Sequence, residues 1–269
     1  GGSPAGCLVA TRRSAGVVLG TLHVEKQGKG AEVVVLHGWG MNAGGLQVDR
    51  MHPTGEVRVS IERGEPAYDI VADQAYDYID SACLPAEKSV SLVYHGSLAL
   101  RGHTSASALD SLLDTCPAPV FLDINLRPPW WEREGAERML GRTDWLKLNE
   151  HEMVELLGSN VEVQAGALTL AEQYGLSMVI VTEGEKGARV YSAAGETFAV
   201  KPDAVTRVVD TVGAGDAFTS VCLLGLLQRW DMQQTVQRAQ SFASAVVGVQ
   251  GATIAERAFY EPFISEWQI

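Results

Sequence analysis

The sequence predicts an α/β protein with a mostly parallel central sheet, helices on both faces and a small β flap. From residue 89 onward, short apolar runs alternate with amphipathic segments, which is typical of a parallel sheet covered by helices. Residues 55–70 instead alternate polar and apolar side chains around Arg63-Gly64, the pattern of a hairpin with one solvated face. Because 269 residues fit one large domain, we predict a single domain over 1–269, with 46–80 contributing the flap.

The predicted elements follow from the period of the apolar residues and from the turn residues that flank them. Strands are predicted at the short apolar runs 91–96, 119–127, 145–149 and 177–182. Helices are predicted where apolar residues recur at helical spacing, at 106–116, 149–158 and 168–175. A hairpin around Ala194-Gly195 is predicted at 188–200, and two helices, about 214–230 and 232–249, close the chain. Upstream, the valine-rich runs 17–19 and 33–36 are candidate strands.

The charge and the cysteines argue against several classes of function. A formal net charge of −12 disfavours nucleic acid and anionic membranes as partners. No apolar run reaches the roughly 20 residues that span a bilayer. The four cysteines are scattered without a Cys-x-x-Cys pair. This distribution argues against a structural zinc site or a disulfide framework, and it favours a cytoplasmic protein with reduced thiols.

The segment DTVGAGDAF, at 210–218, is the strongest chemical signal, because it follows a short β-like run at 207–209 and opens an apolar helix. Gly213 and Gly215 let the backbone turn tightly and approach a ligand closely. The amides at a helix N-terminus bind phosphate oxygens, and Asp216 would place a carboxylate beside them, where it can accept a proton from an attacking hydroxyl. The alternative is that the glycines only shape a turn and Asp216 only caps the helix.

The DTVGAGDAF segment resembles the C-terminal signature of the ribokinase/PfkB family of carbohydrate kinases. Further motifs follow in the family's order and extend the resemblance over about 39–254. They are NEHE (149–152), DINLR (123–127), TEGEKG (182–187), the fructokinase-like lid sequence at 52–79, and GGSP (1–4), which is similar to the start of a sugar-contacting segment. The resemblance implies a ribokinase-like fold in which the flap is a lid over the sugar; the alternative for the flap is a homodimer contact.

The resemblance also implies an activity, the ATP-dependent transfer of the γ-phosphoryl group to a hydroxyl of fructose or a similar ketose. Asp216 would be the base, and the amides of Ala214, Gly215 and Asp216, in the turn opened by Gly213, would form the anion hole. Asn149 and Glu152 would hold Mg²⁺ through its waters. For these two residues, helix capping is the alternative, and the two roles can coexist.

The remaining site residues are also implied by the resemblance. Thr182, Gly184 and Gly187 would lie along the nucleotide, unless they form an ordinary turn. Lys147 is a candidate phosphate ligand, with a structural ion pair as the alternative. The residues implied to contact the sugar are Gly1, Gly2 and Arg127. The residues implied to hold a monovalent cation such as K⁺, largely through backbone oxygens, are Asp210, Val212 and Gly251.

The N-terminal part departs from the family. Relatives begin with a strand that carries a sugar-binding Asp, which this sequence does not show, and Ala5-Gly6 stand where relatives have Asn. The helix–strand–helix pattern expected between Gly6 and Gly38 is hard to discern. The phosphate side is therefore expected to be complete and the sugar side damaged or rebuilt. Two alternatives stay open: a family member that acts on a nucleoside or a sugar acid, and a degenerate nucleotide-binding member without turnover.

Two further features have both structural and functional interpretations. Trp130-Trp131 follow two prolines and are expected to pack at a sheet edge, with the lining of a pocket as the alternative. His95 ends a predicted strand, where we expect a hydrogen-bonded structural histidine rather than a catalytic one. A Rossmann dehydrogenase is disfavoured, because no Gly-x-Gly-x-x-Gly opens an early βαβ unit.

Overall fold

The computed structural model describes residues 7–11, 16–21, 42–62, 65–84, 90–202, 208–251 and 254–269. These residues form two compact units, the first ending at Val179 and the second beginning at Ile180. No helix in the described ranges is long and apolar enough to cross a membrane. The single domain with a lid at 46–80 stays a prediction.

The described residues of the first unit form eight strands up to Asn149. They are β1 (Cys7–Thr11), β2 (Gly16–Thr21), β3 (Asn42–Gln47), β4 (Val57–Glu62), β5 (Glu65–Ile70), β6 (Leu92–His95), β7 (Val120–Asp123) and β8 (Trp145–Asn149). Six of them lie in one sheet in the order β8-β7-β6-β1-β2-β3. β6, β7 and β8 pair in parallel, whereas β1 is antiparallel to both of its neighbours. The predicted mostly parallel central sheet with helices is confirmed.

The parallel strands form where the sequence has continuous apolar runs, because a parallel sheet is buried on both faces. The side chains of Val93, Phe121, Leu122, Leu146 and Leu148 are each 0% exposed. β7 is shorter than the predicted strand at 119–127, since it ends at Asp123.

Four helices of the first unit connect or cover these strands. They are α1 (His103–Thr115), α2 (Arg133–Leu140), α3 (Glu150–Leu157) and α4 (Val163–Tyr174). The sequence did not predict α2, and α4 begins upstream of the predicted start at residue 168. The cause of the earlier start is a cap, because the Glu162 carboxylate accepts a hydrogen bond from the Ala165 amide at 3.0 Å.

The predicted hairpin at 55–70 is confirmed as a separate two-stranded antiparallel sheet. β4 pairs with β5 from Val57 opposite Ile70 to Glu62 opposite Glu65. The turn at Arg63-Gly64 lies outside the described residues. At the base of the hairpin, the Val71 amide donates to the Glu56 carbonyl at 3.2 Å. This hydrogen bond therefore joins the two ends of the hairpin.

From Met178 onward the described residues form three strands followed by three helices, and the boundary between the units falls within the first of these strands. They are β9 (Met178–Thr182), β10 (Ala188–Ser192), β11 (Thr197–Val200), α5 (Ala214–Gln228), α6 (Met232–Val247) and α7 (Arg257–Trp267). β10 and β11 form the predicted antiparallel hairpin. The β-like run predicted at 207–209 is not a strand at Val208 and Val209. Instead, the amides of Val209 and Asp210 both donate to the Val247 carbonyl, at 3.0 and 3.2 Å.

α7 corrects the prediction that two helices close the chain. Pro262 lies inside this helix, where a missing N–H and a steric clash normally disfavour helical structure. Aromatic packing counteracts this effect, since the rings of Phe263 and Trp267 lie 5.1 and 6.2 Å from the ring of Phe242 on α6. Such pairs add about 0.5–1.5 kcal/mol each beyond the area that they bury, so tertiary packing outweighs the local signal.

His95 lies at the end of β6, and only one of its two ring nitrogens is hydrogen-bonded. The prediction of a hydrogen-bonded histidine is therefore correct for one nitrogen and wrong for the other. Its Nδ1 lies 3.0 Å from the Gly96 carbonyl oxygen, which can only accept, so Nδ1 carries the hydrogen. Nε2 is then a bare acceptor, and it is buried without a hydrogen-bond partner among the described residues. Burial lowers the pKa of His95 from 6.5 to about 4.

We expect His95 to make the protein less stable as the pH falls from 7 to 5. Between pH 7 and 5 the unfolded chain binds a proton at His95, whereas His95 stays neutral in the folded chain. The free energy of unfolding therefore falls by about 2 kcal/mol over this range. Urea unfolding of the wild type and of His95→Gln at both pH values measures the difference. The raised pKa of Glu152 acts with the opposite sign, but it is common to both proteins. An equal pH dependence in the two proteins would contradict the prediction.

Candidate functional residues of the two units

In the second unit, helix α5 begins with the turn that the sequence singled out. Gly213 has φ 87° and ψ −8°, a left-handed conformation that a glycine adopts without strain. Its carbonyl accepts the first helical hydrogen bond, from the Ala217 amide at 2.8 Å. Asp216 therefore lies in the first turn of a 15-residue helix, and it is half-buried. The positive end of the helix dipole lies at this turn.

The amides of this turn are not equivalent. The Ala214 amide donates to the Thr211 carbonyl at 3.3 Å, so an internal hydrogen bond competes with its predicted place in the anion hole. Gly215 is exposed, and its amide makes no hydrogen bond to a described residue. The Gly215 amide is thus the better placed of these two donors for an anion.

The carboxylate of Asp210 brings together the three residues predicted to hold a monovalent cation. Oδ1 accepts from the Val212 amide at 2.9 Å, and Oδ2 accepts from the Gly251 amide at 3.1 Å. These two backbone hydrogen bonds lower the pKa of Asp210. Asp210 therefore ties the segment that precedes α5 to the segment that follows α6.

The turn at 182–187 closes on itself through the backbone. The Glu183 amide donates to the Gly187 carbonyl at 2.8 Å, and the Gly187 amide donates to the Gly184 carbonyl at 3.1 Å. Thr182 is the last residue of β9. Sequence analysis missed the ion pair that supports this turn, in which the Arg189 guanidinium donates two hydrogen bonds to the buried Glu183 carboxylate. The two opposite charges that flank the glycines are the signal that could have revealed it.

Gly187 should be the more sensitive of the two glycines in this turn. Its φ is 102°, and a Cβ would stand 1.9 Å from the Val200 carbonyl oxygen, whereas a Cβ on Gly184, at φ 57°, would meet nothing within 4 Å. Gly184→Ala should lower the unfolding free energy by about 1–2 kcal/mol. Gly187→Ala should lower it by about 3 kcal/mol or more, because a clash adds to the strain. Urea midpoints of the two variants test this ranking, which equal losses would refute.

In the first unit, Glu152 joins the end of β8 to the segment that follows β7. Its Oε1 accepts from the Leu126 amide at 3.0 Å, and its Oε2 accepts from the Asn149 amide at 2.8 Å. The Asn149 side chain in turn accepts from the Glu152 amide at 2.9 Å, which completes a capping box. Burial raises the pKa of Glu152, and the hydrogen bond from Asn149 opposes this shift. The capping alternative is therefore present in the structure, and metal binding stays a prediction.

Lys147 forms a structural ion pair, which is one of its two predicted roles. Its Nζ lies 2.8 Å from Oδ2 of Asp123, and both side chains are buried. The two residues are register partners on β8 and β7, so their charges meet inside the sheet. The ion-pair alternative is therefore present in the structure, and the role of Lys147 as a phosphate ligand stays a prediction.

The predicted sugar contacts are only partly described. Gly1 and Gly2 lie outside the described residues. Arg127 is exposed, and it follows Leu126, whose amide Glu152 holds. Burial raises the pKa of Glu152, and the positive charge of Arg127 opposes part of this rise.

Sequence analysis also missed a buried ion pair between Arg101 and Asp77. The guanidinium Nε donates to Oδ1 at 2.8 Å and Nη2 donates to Oδ2 at 2.9 Å. Nη2 also donates to the Val71 carbonyl at 2.6 Å. These contacts link the turn after β6 to the segment that follows the flap. The sequence signal for this ion pair is that Arg101 is an isolated arginine next to apolar residues, because an arginine is rarely buried unless it is paired.

Comparison with known proteins decides the family. A model of the pfkB family of carbohydrate kinases matches residues 38–258. The chain belongs to the pfkB family. A fructokinase of Escherichia coli is 27% identical over 227 residues, which are 78% of this chain and 73% of that protein.

Solved structures of other kinases share the fold of this pfkB protein. Fructokinase with bound ATP from Xylella fastidiosa has a TM-score of 0.80 at 18% identity, over 96% of this chain and 88% of that one. Fructokinase from Vibrio cholerae O395 in the fructose, ADP and calcium ion bound form has a TM-score of 0.72 at 24% identity, over 93% and 86%. The predicted ribokinase-like fold is confirmed. The pfkB match includes every predicted site residue of both units except Gly1 and Gly2.

Proposed function

We propose that this pfkB protein is an ATP-dependent sugar kinase and that Asp216 is its catalytic base. The observation that carries the proposal is the position of Asp216 in the first turn of α5, directly after the exposed Gly215. A carboxylate at this point lies beside amides that favour negative charge. Both elements of phosphoryl transfer, an anion site and a proton acceptor, are then supplied by four consecutive residues.

The proposed reaction is a direct transfer. Asp216 accepts the proton of the sugar hydroxyl, whose oxygen forms a bond to the γ-phosphorus of ATP. The bond from the γ-phosphorus to the oxygen that bridges to the β-phosphate breaks, and its electron pair leaves with ADP. Phosphoryl transfer requires mainly alignment and charge compensation from a protein. The Gly215 amide would donate to the transferring group, and one such donor contributes roughly 3–4 kcal/mol.

Asn149 and Glu152 are proposed to act on Mg²⁺ through its waters. When bound, Mg²⁺ neutralises phosphate charge. The donor set fits an indirect role better than direct coordination, since both Glu152 oxygens already accept amide hydrogen bonds. Each carboxylate oxygen can accept a second hydrogen bond, so Glu152 can still orient water. By holding Leu126 and Asn149 together, Glu152 also joins the end of β8 to the segment that follows β7.

Two other parts of the second unit are proposed to serve the nucleotide side. The turn formed by Thr182, Gly184 and Gly187 would approach the nucleotide phosphates, which its glycines permit because they lack side chains. Asp210, Val212 and Gly251 would hold a monovalent cation such as K⁺ through their oxygens. The hydrogen bonds of the Asp210 carboxylate already gather these three residues, which supports that proposal.

Fructose or a similar ketose is the proposed acceptor, on the basis of the lid-like sequence at 52–79 and the similarity to a fructokinase. The β4–β5 hairpin would cover the sugar and exclude water, which otherwise competes as the acceptor. Arg127 would contact the sugar. The edge of the same hairpin is proposed to form a homodimer, because a two-stranded sheet leaves unpaired edges.

A substrate panel tests the proposal. ADP release, coupled to a spectrophotometric readout, is measured with fructose, glucose, ribose, a nucleoside and a sugar acid at saturating ATP. We expect fructose or another ketose to be turned over fastest. Turnover of the nucleoside or the sugar acid alone would favour the alternative substrate classes. Binding of Mg-ATP by calorimetry without turnover of any acceptor would indicate a degenerate kinase.

A further inference from the structure

A cleft of about 430 Å³ opens in the first unit between helices α1 and α2. Small-molecule sites commonly have volumes of about 300–1,000 Å³, so the cleft can hold a ligand of monosaccharide size. Its walls come from the turn 97–101, from α1, from the loop 127–132 and from α2. Among the residues to which we assign phosphoryl transfer or sugar contact, Arg127 alone lines it.

One wall of the cleft carries two tryptophans. The guanidinium carbon of Arg101 lies 4.4 Å from the ring centroid of Trp130, and Arg101 is itself fixed by its ion pair with Asp77. The Trp130 ring is therefore held in place. Trp131 follows it and is half-buried. An indole gives a flat apolar surface with a polar N–H, and this combination suits a ligand with apolar C–H faces and polar edges.

Charged side chains of both signs lie around these rings. Arg138, Glu132 and Glu134 line the cleft, and the structure shows no hydrogen bond from their side chains to a described residue; Glu132 and Glu134 are exposed. Guanidinium groups only donate hydrogen bonds and carboxylates only accept them. A hydroxyl group does both, so a polyhydroxylated ligand can use every one of these groups. The arginines that line the cleft are balanced by an equal number of acidic residues, Asp110, Glu132 and Glu134, and this balance favours a neutral ligand over a phosphate.

His95, whose Nε2 has no hydrogen-bond partner among the described residues, lines a small cavity next to the cleft. A cavity of about 10 Å³, lined by His95, shares Leu100, Ala106 and Arg138 with the cleft. This volume holds about one water molecule or hydroxyl group. The Nε2 atom of His95 is a buried acceptor without a donor, an unfavourable state that a water or ligand hydroxyl would relieve.

We propose that the cleft between α1 and α2 is a second, non-catalytic binding site for a neutral polyhydroxylated ligand of monosaccharide size. The tryptophan wall would stack on the C–H face of the ligand. The mixed charges would hydrogen-bond its hydroxyls, and His95 would accept from a hydroxyl or from a bridging water. This site goes beyond the proposed kinase function, because none of these groups is needed for phosphoryl transfer.

Gly135 offers a direct test, because it lines the cleft and a Cβ there would meet nothing within 4 Å. Gly135→Leu should fill the cleft without removing an existing contact, and Gly135→Ala is the matched control. Fructose, glucose and sucrose are titrated into each protein without ATP, with saturation-transfer NMR as the readout. We expect Gly135→Leu to weaken the binding of at least one sugar about tenfold or more, whereas Gly135→Ala changes it less than about twofold.

Three outcomes would overturn the proposal: no sugar binds the wild type, Gly135→Leu leaves the binding of every sugar unchanged, or only a phosphorylated sugar binds in a manner sensitive to Gly135→Leu. If Gly135→Leu does not fold, Trp131→Ala replaces it, with the same expected loss of binding. Failure of the kinase proposal is distinguishable, because sugar binding that depends on Gly135 would persist while no acceptor in the substrate panel is phosphorylated.

Discussion

Replacing Asp216 by Ala is expected to lower kcat by at least about 10²-fold, because a general base contributes about 10²–10⁴-fold. The binding of Mg-ATP should change little, since ATP itself has no proton for Asp216 to accept. The unfolding free energy should also change by no more than about 2 kcal/mol, the largest effect expected of a partly buried carboxylate on a helix dipole. Steady-state kinetics, calorimetry with Mg-ATP and urea unfolding together measure these three quantities.

Asp231 is the matched control for the capping interpretation of Asp216. It is the N-cap of α6, and its Oδ1 accepts from the Gln234 amide at 2.8 Å. Asp231→Ala should cost about 1 kcal/mol of stability and leave kcat unchanged. If Asp216→Ala behaves like Asp231→Ala, with lost stability and an unchanged kcat, then Asp216 caps a helix and the proposed base is wrong.

Lys147→Met is expected to destabilise the protein by about 3–5 kcal/mol, because it removes the ammonium group that neutralises the buried Asp123 carboxylate. The two side chains are only 7% and 6% exposed, so water cannot take over the role of the ammonium group. The double replacement Lys147→Met with Asp123→Leu should recover most of this loss, since neither charge then remains inside the sheet. Urea unfolding of the wild type, of both single variants and of the double variant completes the cycle.

The same variants separate the two interpretations of Lys147. If Lys147 is a structural residue, the double variant should bind Mg-ATP as the wild type does. If Lys147 is a phosphate ligand, Mg-ATP binding should weaken in the double variant although its stability is restored. A small stability loss in Lys147→Met together with a large loss of Mg-ATP affinity would contradict the structural assignment.

The parallel strands were predictable because burial on both faces leaves an unmistakable sequence pattern. Trp145–Asn149 is predicted and found at the same residues, since its apolar run ends at an asparagine that caps the next helix. α7 was not predictable in the same way. Its Pro262 argues against a helix locally, and the compensating contacts with Phe242 connect residues far apart in the sequence.

The candidate site was predictable where a chemical role is tied to a local spacing, as in the turn from Gly213 to Asp216. The ion pairs of the first unit were not predictable from the sequence. Asp123 and Lys147 meet only because their strands are neighbours in a particular register, and Arg101 meets Asp77 across 24 residues of sequence. The cleft beside Trp131 arises in the same way, because α2 was not predicted and it supplies one wall of the cleft.

The most direct test of the central claim is ³¹P NMR of a reaction that contains the protein, Mg-ATP and fructose. Transfer to a sugar hydroxyl predicts one sugar phosphomonoester for each ADP formed, with both signals lost in Asp216→Ala. ADP accompanied only by inorganic phosphate would mean that water is the acceptor. An unchanged ATP spectrum with every sugar tried would contradict the assignment of this protein as a sugar kinase.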